Sequence, residues 1–328
     1  MYYQRMKSSK KAWGVLCVIL ASVCYGITPI LSNTALKGGL PGEFLIRAFG
    51  EAPSFMALDP AKAMPNESVV GFGMAIACAL SLVICLVGRK SLKVTPRQAA
   101  ELSVFGGGGF TATMLLISYA YLSIPAGMTI VLNFTYPILV AFFSAMIFGE
   151  KLRPAAIVAL VFAIGGVALI SLPGSAGSGS RPALGVTLAL LSGLAYAVYF
   201  LAGRHASYSK LDGSVSNVYI TGSAAVICFI IALAAGRFRL PPSWFILAVL
   251  LSSGVLGYIV GLRLLLAGIR ILGSVPASAL NTLEPVFASL TSMLVFGELM
   301  TVFKAAGIAL VLAGALISIL SIGRKSPA

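Results

Sequence analysis

Leu280 to Glu298 reads LNTLEPVFASLTSMLVFGE, an apolar run broken near its start by an asparagine, a glutamate and a proline. Shifted by 148 positions without a gap, the chain repeats it as Leu132 to Glu150, LNFTYPILVAFFSAMIFGE. Leu132, Asn133, Pro137, Ser144, Phe148, Gly149 and Glu150 fall on Leu280, Asn281, Pro285, Ser292, Phe296, Gly297 and Glu298. Self-similarity at a fixed spacing marks a chain assembled from repeated units. Whatever architecture one half adopts, the other is expected to adopt again.

The surroundings of both copies are too apolar for a water-soluble domain. Of 328 residues, 59% are hydrophobic and 10% charged, with a mean hydropathy of +1.01; soluble domains are about 45–50% apolar and about 25% charged. Apolar windows of about 20 residues, enough to cross ~30 Å of hydrocarbon as helix, lie near 13–36, 69–88, 99–122, 125–148, 154–172, 183–203, 214–235, 243–268, 275–297 and 302–322. Alternating barrel strands are absent, and unpaired backbone is costly in lipid. The predicted fold is an all-α polytopic membrane protein with ten transmembrane helices. The first window follows Arg5, Lys7, Lys10 and Lys11 as a signal peptide would, yet it runs to about Leu36. A signal core is only roughly 7–15 residues long, so this window reads as a retained span.

The formal charge of +14 comes from basic residues in short clusters between windows, not interleaved with aromatics. That pattern orients a membrane protein and points away from nucleic acid. With the N-terminus inside, the inner side receives 15 of the 23 Lys and Arg, the outer side 7, and Arg263 lies within a span. Both termini are therefore predicted in the cytoplasm, with the protein in the cytoplasmic (inner) membrane.

The halves are predicted as 1–172 and 183–328, joined by a Gly/Ser linker, PGSAGSGSRP, at 173–182. The opening repeats as well: Gly14, Leu20 and Tyr25 fall on Gly185, Leu191 and Tyr196 at a shift of 171. Five spans per half is an odd number, so the second half must enter the membrane inverted, as in secondary transporters with a midplane site. The two shifts differ by 23 residues because of an insert, Gly42 to Ser68, that holds Glu43, Glu51, Asp59 and Glu67. Its Phe44, Leu45, Ile46, Phe49 and Phe55 are expected to form a short helix on the outer interface, serving as a lid or partner surface or simply as a tolerated loop.

Ten spans, two five-helix halves, LEPVFASLTSMLVFGE and its twin YPILVAFFSAMIFGE resemble the EamA domains of the drug/metabolite transporter superfamily. The likeness covers nearly the whole chain outside the insert. It implies a secondary active transporter of a small polar or amphipathic metabolite, amino acid-like, working by alternating access around a central cavity, with export as the direction. The first half departs from the pattern in its insert and in having Tyr136 where the second half has Glu284; either would suit a distinct substrate.

A proline at position i removes a helical hydrogen bond and displaces the carbonyl of i−4. Pro137 and Pro285 should thus kink their helices and free the carbonyls of Asn133 and Asn281. Residues at i, i+3 share a helix face, which pairs Asn133 with Tyr136, Asn281 with Glu284, Tyr25 with Thr28, and Tyr196 with Tyr199. All eight are predicted to line the substrate cavity; gluing helices together is the competing role for such groups. The tyrosines would suit stacking or a cation on a ring face. Glu284, a carboxylate within a span, usually faces an interior or aqueous path and could carry protons. A fixed counter-ion for a cationic substrate, a pair with Arg263 and a structural hydrogen bond are its other readings.

Arg263 reads as an anion anchor or as a snorkelling side chain. The Gly106 to Gly109 run and Gly257-x-x-x-Gly261 read as helix packing, with ligand approach or a dimer face as alternatives. Glu150 and Glu298 are expected to cap turns. Cys17, Cys24, Cys78, Cys85 and Cys228 lie in apolar segments without CxxC spacing and read as small packers. No metal site, cofactor or GxxxxGK[ST] loop is present in the sequence, and the single histidine, His205, has no catalytic companions. Partners are expected to be a small-molecule substrate, membrane lipid and protons. A non-transporting scaffold or sensor is the alternative class, and an intramembrane enzyme a further one.

Overall fold

The computed structural model describes residues 2–120, 123–124, 126–150, 154–171, 182–296 and 299–323. Among them the chain is helical, with no β-strand. The apolar windows are helical because lipid offers backbone groups no partners outside their own segment. The first half comprises α1 (Tyr2–Lys37), α2 (Gly42–Phe49), α3 (Asn66–Val87), α4 (Pro96–Ala120), α5 (Ala126–Asn133), α6 (Tyr136–Phe148) and α7 (Pro154–Ser171). The second comprises α8 (Pro182–His205), α9 (Gly213–Ala234), α10 (Trp244–Leu272), α11 (Ser274–Asn281), α12 (Glu284–Phe296) and α13 (Val302–Gly323).

Nine stretches among the described residues are long and apolar enough to cross a membrane. The remaining window, 275–297, is divided into α11 and α12, neither of which spans alone. The twin window divides at the same place, between α5 and α6. Pro137 and Pro285 each stand second in the restarted helix, where a missing N–H costs nothing. At the breaks, the Thr135 hydroxyl donates to the Leu132 carbonyl (2.8 Å) and the Thr282 hydroxyl to that of Ala279 (2.6 Å).

Packing between the halves is reciprocal. Helix α1 lies along α10, and α8 along α4; exchanging the halves turns one pair into the other. Helix α3 pairs with α9 and α7 with α13, each the counterpart of its neighbour. These are the contacts that two inverted copies make about an axis in the membrane plane. Helices α7 and α13 cross at Gly166 and Gly307, where a Cβ on either would come within 2.6 Å of the other's carbonyl oxygen.

Both glycine motifs are packing devices inside the fold. Leu102–Gly108 of α4 and Gly254–Gly261 of α10 wind as π-helix, and at the 148 shift Gly106 and Gly109 fall on Gly254 and Gly257. A Cβ at Gly257 would sit 2.7 Å from Thr28 Oγ1, and one at Gly106 2.7 Å from Ile220 Cγ1.

The insert does form a short helix, α2, with Leu45 buried and Ile46 and Phe49 exposed, ended by Gly50 at φ +79°. Phe55 lies beyond that helix and rests on Trp244, ring centroids 4.8 Å apart. The Arg239 guanidinium donates to the carbonyls of Ala61 (2.5 Å) and Ala63 (2.6 Å), strapping the insert to the α9–α10 hairpin. The predicted linker as far as Arg181, and Gly297 and Glu298, lie outside the described residues.

Candidate functional site

The broken helices pack on each other, α6 against α11, with Tyr136 and Asn281 fully buried at the contact. Asn281, the last residue of α11, is fully buried. Its amide nitrogen lies 3.1 Å from Tyr136 Oη, 3.3 Å from Tyr196 Oη and 3.2 Å from Glu284 Oε2. Two N–H groups thus serve three acceptors. The Tyr136 hydroxyl donates onward to the Ser278 carbonyl (3.3 Å), and the Ser22 hydroxyl donates to Asn281 Oδ1 (3.4 Å). Tyr136 and Ser22 belong to the first half, the other groups to the second, so the cluster joins the halves at one buried point.

Above this cluster lies a cavity of about 320 Å³, between helices of both halves. Tyr25, Asn133, Tyr196 and Glu284 line it, together with Pro285. Asn133 donates to Ser192 Oγ (2.8 Å), and its carbonyl faces Gly193, where a Cβ would come within 2.8 Å. Neither the Tyr25 hydroxyl nor the Ser289 hydroxyl, both on lining residues, has a hydrogen-bond partner among the described residues. Glu284 is partly exposed, and it makes no ion pair among the described residues.

Four of the eight predicted residues stand elsewhere. Tyr136 and Asn281 form the layer beneath the cavity. Thr28 donates to the Cys24 carbonyl (2.8 Å) and packs against Gly257. Tyr199 is fully buried against Phe110 and Tyr196. Lys304, at the start of α13, lines the cavity and was not singled out from sequence; its place just inside the tenth window resembled an ordinary flanking charge. Arg263 lines a separate crevice and does not pair with Glu284. No residue of the insert lines the cavity.

Beneath the cluster the halves are tied together. Tyr136 packs on Tyr196 and Phe200, centroids 4.5 and 5.2 Å apart, and the Ser144 and Ser274 hydroxyls are 2.9 Å apart. Nearer the chain's N-terminal side, the Glu101 carboxylate accepts from the Ser207 amide (2.7 Å), and Lys90 Nζ lies 2.9 Å from Asp212. Burial pushes the Asp212 carboxyl up, but the Lys90 ammonium and the Ser214 amide outweigh it and hold it below its ordinary value. Glu150 reaches His205 Nε2 (3.3 Å), whose ring stacks on Phe148, while Gly149 at φ +64° ends α6. All five cysteines are free. The cavity thus opens toward the ends of α1, α7 and α13 that carry Asn33, Ser171 and Lys304, and it is shut on the opposite side.

The EamA-like transporter family matches residues 44–172 and again residues 183–320. The chain belongs to that family. As an EamA-like transporter it is an integral membrane protein with a small-molecule substrate and lipid surroundings. It is 30% identical over 224 residues to an uncharacterized protein of Pseudomonas aeruginosa, covering 66% of this chain and 72% of that one. An uncharacterized transporter of Clostridium kluyveri is 24% identical over 269 residues, or 80% of this chain and 84% of the relative. The threonine/homoserine exporter RhtA of Salmonella typhimurium is 28% identical over 208 residues, 62% of this chain and 67% of RhtA. A solved crystal structure of a protein shares the fold with a TM-score of 0.75 at 16% identity, covering 96% of this chain and 99% of that one.

Proposed function

We propose that this EamA-like transporter exports a small amino acid-like metabolite across the cytoplasmic membrane, with both termini in the cytoplasm. The residues 1–172 and 183–328 act as two repeats that rock about the central cavity, joined by the linker at 173–182. The observation that carries this reading is a cavity with an acid and a base in its lining, Glu284 and Lys304, shut on one side by the Asn281 cluster. In this reading Glu284 is assigned to the substrate's ammonium and Lys304 to its carboxylate, with Tyr25, Asn133 and Tyr196 as further lining of the same cavity. The volume lies at the small end of ligand pockets, roughly 300–1,000 Å³, which suits an amino acid better than a nucleotide or a large drug. The similarity to a threonine/homoserine exporter supports the same class.

Asn281, Tyr136, Thr28 and Tyr199 act behind the contact surface. To expose the site on the other side, the halves must part at the Asn281 cluster, because Tyr136 and Asn281 come from different halves. Glu284 accepts from the same Asn281 amide, so a proton added to or removed from Glu284 redistributes the bonds that hold the halves closed. That linkage makes Glu284 the proton-coupling group as well as a substrate contact.

A thermal-stability screen of the purified protein against amino acids, amines, organic acids and sugars tests the substrate class. Ligand at about 100 times its dissociation constant stabilises a native state by roughly 2.7 kcal/mol, a visible shift. The expected hits are small zwitterionic amino acids, with loss of the shift in Glu284→Gln and Lys304→Gln. Stabilisation by amines or acids alone, undiminished in either variant, would contradict the reading.

A further inference from the structure

On the side of the molecule away from the substrate cavity, α1 and α10 leave a crevice of about 550 Å³. Trp13, Val260, Leu264 and Ile271 form apolar walls, and Trp13 and Val260 are exposed on the outer surface of the bundle. Two guanidinium groups, Arg263 and Arg270, line the same crevice. Their situations differ. Arg270 is engaged by the Leu211 carbonyl (2.7 Å), the Tyr208 carbonyl (3.4 Å) and Ser216 Oγ (3.2 Å). Arg263 makes no hydrogen bond or ion pair with any described residue. The nearby carboxylate, Asp212 beside the crevice residue Gly213, is held by Lys90 and Ser214 instead.

Arg263 stands nine residues before the end of α10 at Leu272, roughly 13 Å along the axis at 1.5 Å per residue. A cation at that depth beside lipid is costly unless an anion or water meets it. The crevice lies at the end of α10 that the Lys and Arg distribution places in the cytoplasmic leaflet, where anionic lipids supply phosphate groups and basic pockets between helices bind them. We infer that the crevice binds one anionic phospholipid, its phosphodiester on Arg263 and an acyl chain along Trp13, Val260, Leu264 and Ile271. The inference uses the sidedness proposed above and no part of the substrate assignment.

The chain has two tryptophans, and only Trp13 lines the crevice, so Trp244→Phe leaves a reporter at the site. The full-length Trp244→Phe protein is reconstituted in phosphatidylcholine vesicles containing brominated phosphatidylglycerol or, separately, brominated phosphatidylcholine, and quenching of Trp13 is read. One basic side chain near an anionic leaflet corresponds to about a fivefold preference, which is the expected excess of phosphatidylglycerol binding. Arg263→Gln should remove the excess while leaving quenching by brominated phosphatidylcholine intact, which also reports correct insertion. Lys210→Gln, an exposed charge on the same side, should change nothing. Equal quenching by the two lipids, or an excess that survives Arg263→Gln, overturns the assignment. Relief of the excess by soluble glycerol phosphate overturns the lipid as its source, because the site then takes a free anion. Transport is not needed for any of these readouts, so failure here is distinct from failure of the proposed export.

Discussion

Asn281 ties the two halves together, because its amide nitrogen lies within hydrogen-bond distance of Tyr136 of the first half as well as of Tyr196 and Glu284 of its own. Asn281→Leu keeps the volume and removes every one of these bonds. Leaving buried acceptors unpaired costs about 1–3 kcal/mol, so a lowered thermal midpoint is expected, with transport lost beyond what the loss of folded protein explains. Glu284→Gln keeps a hydrogen-bonding group in place and removes the titration. Its flux is expected to lose dependence on pH, and flux that kept the full pH response of the parent would exclude Glu284 as the proton carrier. For Lys304→Gln, loss of one charge-assisted contact, about 1.5–3 kcal/mol, should weaken binding of a carboxylated ligand about tenfold or more in a calorimetric titration. Of the eight residues that helical spacing nominated, Tyr25, Asn133, Tyr196 and Glu284 line the cavity. The spacing groups residues on one face without saying which neighbour that face meets. Thr28 shares a face with Tyr25, yet its side chain packs against Gly257 of α10. Lys304 escaped notice because nothing local separates a cavity cation from a flanking one.

The broken helices and the π segments are the elements that shape the site. The doubled Asn-x-x-x-Pro pattern predicted kinks within continuous spans; the helices instead end and restart there, with each proline second in the new helix. The π segments were not legible in the sequence: GGGG and GYIVG share few letters, and their common winding depends on the helices that press on them. A Cβ at Gly107 would approach the Ile220 carbonyl to 2.7 Å, and backbone there cannot yield. Gly107→Val should therefore lower stability by the 1–3 kcal/mol typical of overpacking, about enough to shift the thermal midpoint visibly. Gly165, inside α7, would meet nothing within 4 Å if given a Cβ. Gly165→Ala is expected to be neutral or to stabilise by up to about 1 kcal/mol through helix propensity alone. If both substitutions behaved alike in a melting experiment, the packing account of the glycine-rich segments would be wrong.

At the scale of the molecule, reciprocal packing of α1 on α10 and α8 on α4 follows from two similar halves in opposite orientations. That much was visible in two sequence shifts and an odd number of spans. Which side is closed was not, because closure rests on contacts between residues far apart in the chain, such as Lys90 with Asp212, 122 positions away. The Asp212 carboxyl is held below its ordinary value of 3.8, so its contribution is present above that value and is lost as pH falls through the lower, folded-state value. The pair is partly exposed and contributes about 0–1 kcal/mol. Asp212→Asn should thus lower the thermal midpoint slightly at neutral pH, and the difference should shrink as pH falls below 3.8 and vanish once the folded-state carboxylate is protonated.

The central claim is that the cavity above the Asn281 cluster carries an amino acid-like substrate between the two sides. Solute counterflow in proteoliposomes measures this directly: vesicles loaded with unlabelled threonine, then homoserine, are diluted into a trace of the labelled compound, and transient accumulation is followed. Accumulation is expected with the parent protein, with its loss in Asn281→Leu and a reduced but measurable level in Glu284→Gln reconstituted to the same density. Accumulation undiminished in both variants would contradict the placement of the site. No accumulation for any zwitterionic amino acid, from protein that binds them in the thermal screen, would contradict transport itself.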